Sequence, residues 1–423
     1  MENEKILMSL DLGSQNIKAV IGAIDNSGTL EIKGMGVVTC SMGNCGISEG
    51  IIKNIEMTVR NISQVVNDAQ SQYGENINDL IVGFSGRHIE SRNEEGSVVV
   101  SGREHEIGQE DVERVKDQAK TKVEPLPESK TMVKQIPRWY SIDGEDRIKE
   151  PRGMSGIKLG VDMHIILSNT QQIRNIEKCV MKADLGLKDT VPNLLASSMA
   201  VMDKDESELG CMVLDMGAGT TDIAVFIDDA LHYSDVLEIG GNIVTRDLAT
   251  VLKTPKNKAE HLKIRYGTTY IDENVDPDEL IEVPAVGGRP PGHIKRENIE
   301  EIIRPRLEEI GDLIFDRVRR NNINITRDLP AGIILTGGMA KLHGFDRLLE
   351  QMFDVQVKIG VPGATGTITG LGLDVSQPQF AAAVGLLLYG KNHLDEYEEQ
   401  FLGDFPALYR KITGYLKKLF SNR

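Results

Sequence analysis

One phrase occurs twice in this chain. Asp11-Leu-Gly-Ser-Gln-Asn-Ile-Lys18 and Asp215-Met-Gly-Ala-Gly-Thr-Thr-Asp222 each follow one apolar run and precede another. Each reads as strand, tight turn, strand, with an Asp and a Gly opening the turn. Glycine lets backbone N–H groups approach phosphate oxygens, and an Asp carboxylate holds a magnesium ion through water. A single such turn ends many strands and means little. Two with matching flanks imply a duplicated fold whose turns close on a polyphosphate from two sides. The alternative is a pair of ordinary β-turns in which Asp and Gly serve turn geometry alone.

A third segment weighs against that alternative. Ile333-Ile-Leu-Thr-Gly337-Gly338-Met339-Ala340 is a strand ending in Gly-Gly before a helix, which offers flat backbone and helix N–H groups to an adenosine phosphate. Around the turns, Lys18 sits where it can reach back to the phosphates, and Asp222 occupies the same offset after Asp215. Thr220 and Thr221 add hydroxyl donors, while Gly13, Gly217 and Gly219 free the backbone, with Ser14 beside Gly13.

At 423 residues the chain exceeds one small core and implies two or more domains. A net charge of −16 argues against nucleic-acid binding by its body. Cys40, Cys45, Cys179 and Cys211 form no C-x-x-C pair, so a reduced, cytoplasmic protein is expected. Residues 1–5 lead straight into a strand and are not a signal peptide. The apolar run Phe380–Tyr389 is far short of the roughly 20 residues of a spanning helix.

Strand-like runs at Ile6–Leu10, Ala19–Ile24 and Leu80–Phe84 alternate with helical spacing over Glu49–Tyr73 and Gln171–Ala183. Between Ser85 and about Met163 the texture changes to charged turns, prolines and short alternating runs, an inserted α+β module. Asp162–Leu167 reads as a buried strand returning to the first fold. A second insertion runs from Leu231 to about Arg327 and ends in a long amphipathic helix, Arg296–Arg320, which Pro305 should kink or divide. Asp395–Glu399 is acidic and reads as loose. The last twenty residues differ again. Leu408, Ile412, Tyr415, Leu416, Leu419 and Phe420 fall on one helical face, flanked by Arg410, Lys411, Lys417, Lys418 and Arg423. That pattern suits an anionic membrane surface; docking on the protein's own core is the competing reading.

In order and spacing, the two Asp turns and the Gly-Gly-Met turn resemble the actin, chaperone and sugar-kinase ATPase superfamily. Within it the chain is similar to the FtsA family of bacterial cell-division proteins. The likeness rests on Leu195-Ala-Ser-Ser-Met-Ala-Val201, Glu208-Leu-Gly-Cys-Met-Val-Leu followed by the second Asp turn, Gly240-Gly241-Asn-Ile-Val-Thr-Arg-Asp-Leu248 and Ala259-Glu-His-Leu-Lys263. It implies an α/β, actin-like (ribonuclease H-like) duplicated ATPase fold with an inserted α+β subdomain and a C-terminal amphipathic helix. Its expected parts are 1–84 with 164–205, the insert 85–163, 206–235 with 325–392, a fourth subdomain 236–324, a flexible linker 393–404 and a membrane-targeting helix 405–423.

The resemblance further implies ATP with Mg, the metal held through water by Asp11 and Asp215. Gly240 and Gly241 join the nucleotide site, and Glu260 and Lys263 become ribose and adenine contacts. It implies self-polymerisation, binding of the C-terminal peptide of the tubulin-like FtsZ within 236–324, and contacts of 85–163 with later division proteins. The place implied is the cytoplasmic face of the inner membrane at the septum. One departure bears on mechanism. Filament-forming relatives place an acid or amide near the start of the helix at Val191-Pro-Asn-Leu-Leu-Ala to orient the attacking water. Here only Asn193 is available, so slow hydrolysis is expected. A sugar or metabolite kinase and a pilus-assembly ATPase of the same superfamily are the rival readings. A kinase needs a substrate carboxylate in the cleft, and neither rival accounts for the basic tail. Gly46-Ile-Ser-Glu-Gly50 and Gly385–Asn392 are chance likenesses to a nucleophile elbow and a P-loop.

Overall fold

The computed structural model describes residues 4–25, 27–40, 45–101, 103–271, 276–363, 368–370, 375–394 and 397. The expected tail helix and most of the acidic segment before it lie outside these. Two sheets repeat one plan. In the first, the hairpin Lys5–Leu12 and Asn16–Ile24 continues to Leu30–Thr39, and Asp79–Phe84 pairs in parallel with its first strand. In the second, the hairpin Cys211–Met216 and Thr221–Ile227 continues to Ala230–Leu237, and Ile333–Thr336 pairs in parallel with its first strand. The duplicated phrase thus occupies the same turn in each sheet.

Both hairpins are buried on both faces, which is why they read as unbroken apolar runs rather than alternating ones. The helix Ile55–Tyr73 covers the first sheet with Ile62, Val65, Val66 and Ala69, a spacing of three and four residues. Asn54 caps it by accepting from the Met57 N–H, and Gly74, at φ 91°, ends it. The helix lies directly on the strand Leu30–Thr39. A Cβ on Gly36 would stand 1.9 Å from the Val65 carbonyl oxygen.

The insert is a four-stranded sheet, ordered Glu90–Val99, Lys158–Asn169, Lys130–Ile142, Glu145–Ile148, with the helix Gln109–Thr121 on one face. Here the structure corrects the expected boundary. The strand holding Asp162–Leu167 is flanked on both edges by insert strands and does not return to the first sheet. The return comes through the helix Thr170–Lys182 and the strand Gly186–Pro192.

A second correction concerns 325–392. After Val357–Ile359 the chain crosses back: Ile368–Gly370 pairs with Leu30–Thr39. The helix Ala381–Asn392 then packs on the first sheet and on the helix Asn193–Val201. Tyr397, expected in the loose linker, is buried and donates to Asp189.

The helix Glu297–Arg320 runs on through Pro305. Pro305 and Glu301 both face solvent, so water can satisfy the Glu301 carbonyl that loses its helical partner. Cys40 and Cys45 are joined by a disulfide across Cα atoms 5.2 Å apart, against the reduced state expected from spacing. Burial pushes the free thiols of Cys179 and Cys211 up to about 11 and 12, leaving them unreactive.

Candidate functional site

The register of the first hairpin sets Asp11 opposite Lys18. Lys18 Nζ donates to Asp11 Oδ2 at 2.6 Å, and Asn193 Nδ2 donates to Oδ1 at 3.1 Å. In the second hairpin the same register sets Asp215 opposite Asp222, two carboxylates where the first turn has a carboxylate and an ammonium. Ser197 donates to Asp215, and Ser85 Oγ lies 2.8 Å from both oxygens of Asp222. Burial, followed for Asp215 by repulsion from Asp11, raises the Asp215 pKa to about 6 against the Ser197 hydrogen bond. Burial and the neighbouring Asp215 push Asp222 well above the usual carboxylate range.

Asp11, Lys18, Ser85, Asn193, Asp215 and Asp222 wall a cavity of about 100 Å³ between the two turns, which also reaches Gly13, Ser14, Gly217, Gly219, Thr220, Gly337 and Gly338. Gly337, at φ 83°, packs on the second turn so closely that a Cβ would lie 2.3 Å from Asp215 Oδ1. A Cβ on Gly338 would meet nothing within 4 Å, because that residue faces the open cleft.

Beside this cavity lies a second, of about 380 Å³, lined by Gly241, Glu260, Lys263, Gly338, Met339 and Gln15 among others. Lys263 reaches Glu260 at 2.8 Å, the Gly241 carbonyl at 3.1 Å and Thr245 at 2.9 Å. Burial works to raise the Glu260 pKa, but Lys263, Thr245 and Gln15 together hold it below its ordinary value. Burial lowers the Lys263 pKa despite Glu260. A charged pair fixed on one wall and the Met339 side chain on another make this the apolar and polar mixture that a nucleoside needs.

The structure thus gathers fourteen of the sixteen residues expected at a nucleotide site: Asp11, Gly13, Ser14, Lys18, Asp215, Gly217, Gly219, Thr220, Gly337 and Gly338 around the small cavity, and Gly241, Glu260, Lys263 and Met339 around the large one. Thr221 and Gly240 line neither. Thr221 donates to the Ile239 carbonyl, and Gly240 lies under the second turn, where a Cβ would strike the Gly217 oxygen. The Gly241 and Asn242 N–H groups are likewise spent on the Gly217 and Ala218 carbonyls. Ser85, Gln15 and Gln379 also line the cleft without having been singled out as site residues. Ser85 and Gln379 are lone polar residues whose positions depend on tertiary packing, so no local motif marks them; Gln15 lies inside the first Asp turn, but its partner Glu260 is met only in the fold.

Family models match at two places, "Cell division protein FtsA" over residues 212–385 and "SHS2 domain inserted in FTSA" over 86–167. Cell division protein FtsA of Pseudomonas aeruginosa is 35% identical over 390 residues, covering 92% of this chain and 90% of its own. That of Escherichia coli K12 is 34% identical over 427 residues, 99% of each. The chain belongs to the FtsA family. Its insert is the family's SHS2 domain, in agreement with the sheet that ends at Asn169 rather than near 163. The fold is that of the actin-like ATPases. The PilM–PilN type IV pilus biogenesis complex superposes with a TM-score of 0.65 at 18% identity, over 91% of this chain and 98% of the other. MreB5 of Spiroplasma citri bound to AMPPNP gives 0.57 at 14%, over 95% and 100%.

Proposed function

We propose that the protein is an ATP-binding adaptor that polymerises and holds FtsZ filaments to the cytoplasmic face of the bacterial inner membrane at the septum. The observation that carries this is the two-chambered cleft closed by twin Asp turns, in a chain of the FtsA family. Phosphates sit in the small chamber and the nucleoside in the large one, against Glu260 and Lys263.

A hydrated magnesium ion fits the donor set. Asp11, Asp215 and Asp222 converge without forming, among the described residues, a cluster that could ligate a metal directly. Burial first, and then repulsion between the carboxylates, raises the pKa values of Asp215 and Asp222, and a bound cation would relieve that repulsion. The metal's chemistry would be neutralisation of phosphate charge. The chain's own residues position Asp11 through Lys18 and Asn193, and Asp215 through Ser197.

The FtsZ peptide binds within 236–324, and the insert meets later division proteins. No described helix is long and apolar enough to cross a membrane. Attachment therefore falls to the basic amphipathic tail at 405–423, each cation contributing about 1 kcal/mol at most near an anionic bilayer. The test compares the intact chain with a truncation after Gly403 for sedimentation with anionic vesicles, alone and with FtsZ. The intact chain should carry FtsZ down and the truncation should leave both in solution. Equal sedimentation of the two proteins sinks the tether.

A further inference from the structure

Gln15 stands at the apex of the first Asp turn, and its side chain leaves its own half of the molecule. Nε2 donates to Glu260 Oε1 at 3.2 Å, on the helix Lys256–Tyr266 of the other half. The Gln15 carbonyl accepts the Cys40 N–H at 2.8 Å, which fixes the backbone from which the side chain reaches out. Glu260 is equally fixed. It is paired with Lys263 and accepts from Thr245, so the hydrogen bond from Gln15 joins two anchored ends.

Where this bond lies gives it a role. Gln15 borders the phosphate chamber. Gln15 and Glu260 together border the nucleoside chamber, and together they also border a third cavity of about 420 Å³. That third cavity is walled by Thr39, Ser48 and Glu49 from one half and by Arg246, Lys256 and His261 from the other. The Gln15–Glu260 bond is therefore a bar between the nucleoside chamber and a second opening of the cleft. Among the other side-chain bonds across the cleft, those from Ser85 to Asp222 and Thr220 and from Ser197 to Asp215 are buried at its floor, and that from Lys341 to Gln379 is exposed at the rim of the nucleoside chamber. The one from Gln15 is only partly buried, toward the mouth.

We propose that Gln15 is a positioning residue, a clasp that holds the two halves together across a bound nucleotide and sets how fast it leaves. This rests on the reading of the cleft as a nucleotide site. Gln15 does not need to touch the reacting phosphate; it acts by keeping Glu260 over the nucleoside and the second opening barred.

The test is stopped-flow release of a fluorescent ATP analogue from the full chain, chased with excess ATP. Gln15→Ala removes the donor and should speed release by about 10-fold, the factor that one hydrogen bond to a charged group supports. Gln15→Glu sets two carboxylates face to face and should speed it further. The double variant Gln15→Glu with Glu260→Gln restores a donor–acceptor pair in reverse. It should release more slowly than Gln15→Glu alone, an outcome that a merely structural role for Gln15 does not produce. Thermal unfolding of each ligand-free variant checks that all are folded. Wild-type release rates in both single variants, or a double variant as fast as Gln15→Glu, overturn the clasp. Failure of the wild-type chain to retain the analogue at all would instead overturn the nucleotide reading beneath it.

Discussion

Two adjacent glycines separate folding from binding at the level of single residues. Gly337 occupies the left-handed region, and a methyl there would collide with Asp215 and with the Met216 carbonyl. Gly337→Ala should cost about 1–3 kcal/mol of stability and also weaken ATP. Gly338→Ala has open space before it, so its melting temperature should match wild type while its affinity for a fluorescent ATP analogue falls. Equal affinity in Gly338→Ala would remove the Gly-Gly turn from the ligand site. His88 offers a second residue-scale test. Its ring stacks on Phe84, and neither nitrogen finds a hydrogen-bond partner among the described residues. Burial, with Arg87 nearby, lowers its pKa to about 4. The folded state keeps it neutral, while the unfolded chain takes up a proton below about pH 6.5. Its contribution is therefore intact above pH 6.5 and lost as pH falls toward 4, by roughly 1.4 kcal/mol per unit. Asp215, with its raised pKa, acts in the opposite direction over the same range. The difference between proteins isolates the histidine. His88→Phe should flatten the fall in stability between pH 6.5 and 4.5, measured by urea unfolding, and an unchanged slope would count against a buried neutral ring.

Among the elements, the seam between the insert and the second half is the least visible in the sequence. The edge strand Ala230–Leu237 lies against the insert sheet. His164, buried among the insert strands, bonds Asn93 at 2.6 Å and Ser234 at 2.8 Å, while Asn93 reaches the His232 carbonyl. Ser234→Ala strands a buried imidazole nitrogen. It should cost about 1–3 kcal/mol and expose residues 86–167 to protease, with ATP affinity unchanged. Protease resistance equal to wild type would show that the seam does not hold the insert. The partners of His164 lie on strands about seventy residues away, which no local pattern encodes. The same limit explains the two boundary corrections. Apolar runs at Asp162–Leu167 and Phe380–Tyr389 announce burial, but burial does not say which sheet a strand joins or which half a helix covers. The Asp and Gly turns were legible because their chemistry is local: residue type, turn geometry and flanking strands sit within eight positions. Asn193 and Ser85 act on those turns from distant segments, and Gln15, inside the first turn, has its partner Glu260 far away in sequence. Only Asn193 stood out, through the resemblance rather than through spacing.

For the whole molecule the question is what binding energy accomplishes. A ligand that bridges Asp11 on one half and Asp215 on the other draws the two sheets together, and such closure can set the shape presented to the next subunit. Turnover needs something more, a group that orients water for in-line attack. At the head of the helix Asn193–Val201 the chain supplies Asn193. Its amide N–H is committed to Asp11, and its Oδ1 lies against Gly83 with no hydrogen-bond partner among the described residues. An amide oxygen is also a far weaker base than a carboxylate. We therefore propose that ATP, bound without fast chemistry, acts as an assembly ligand. ATP turnover by the purified chain should stay well below one per second by phosphate release, and a non-hydrolysable analogue should support polymer formation as well as ATP does. A rate of several per second, or polymers that form with ATP and not with the analogue, would mean that hydrolysis drives assembly. The cleft would then contain a water-orienting group that Asn193 does not provide.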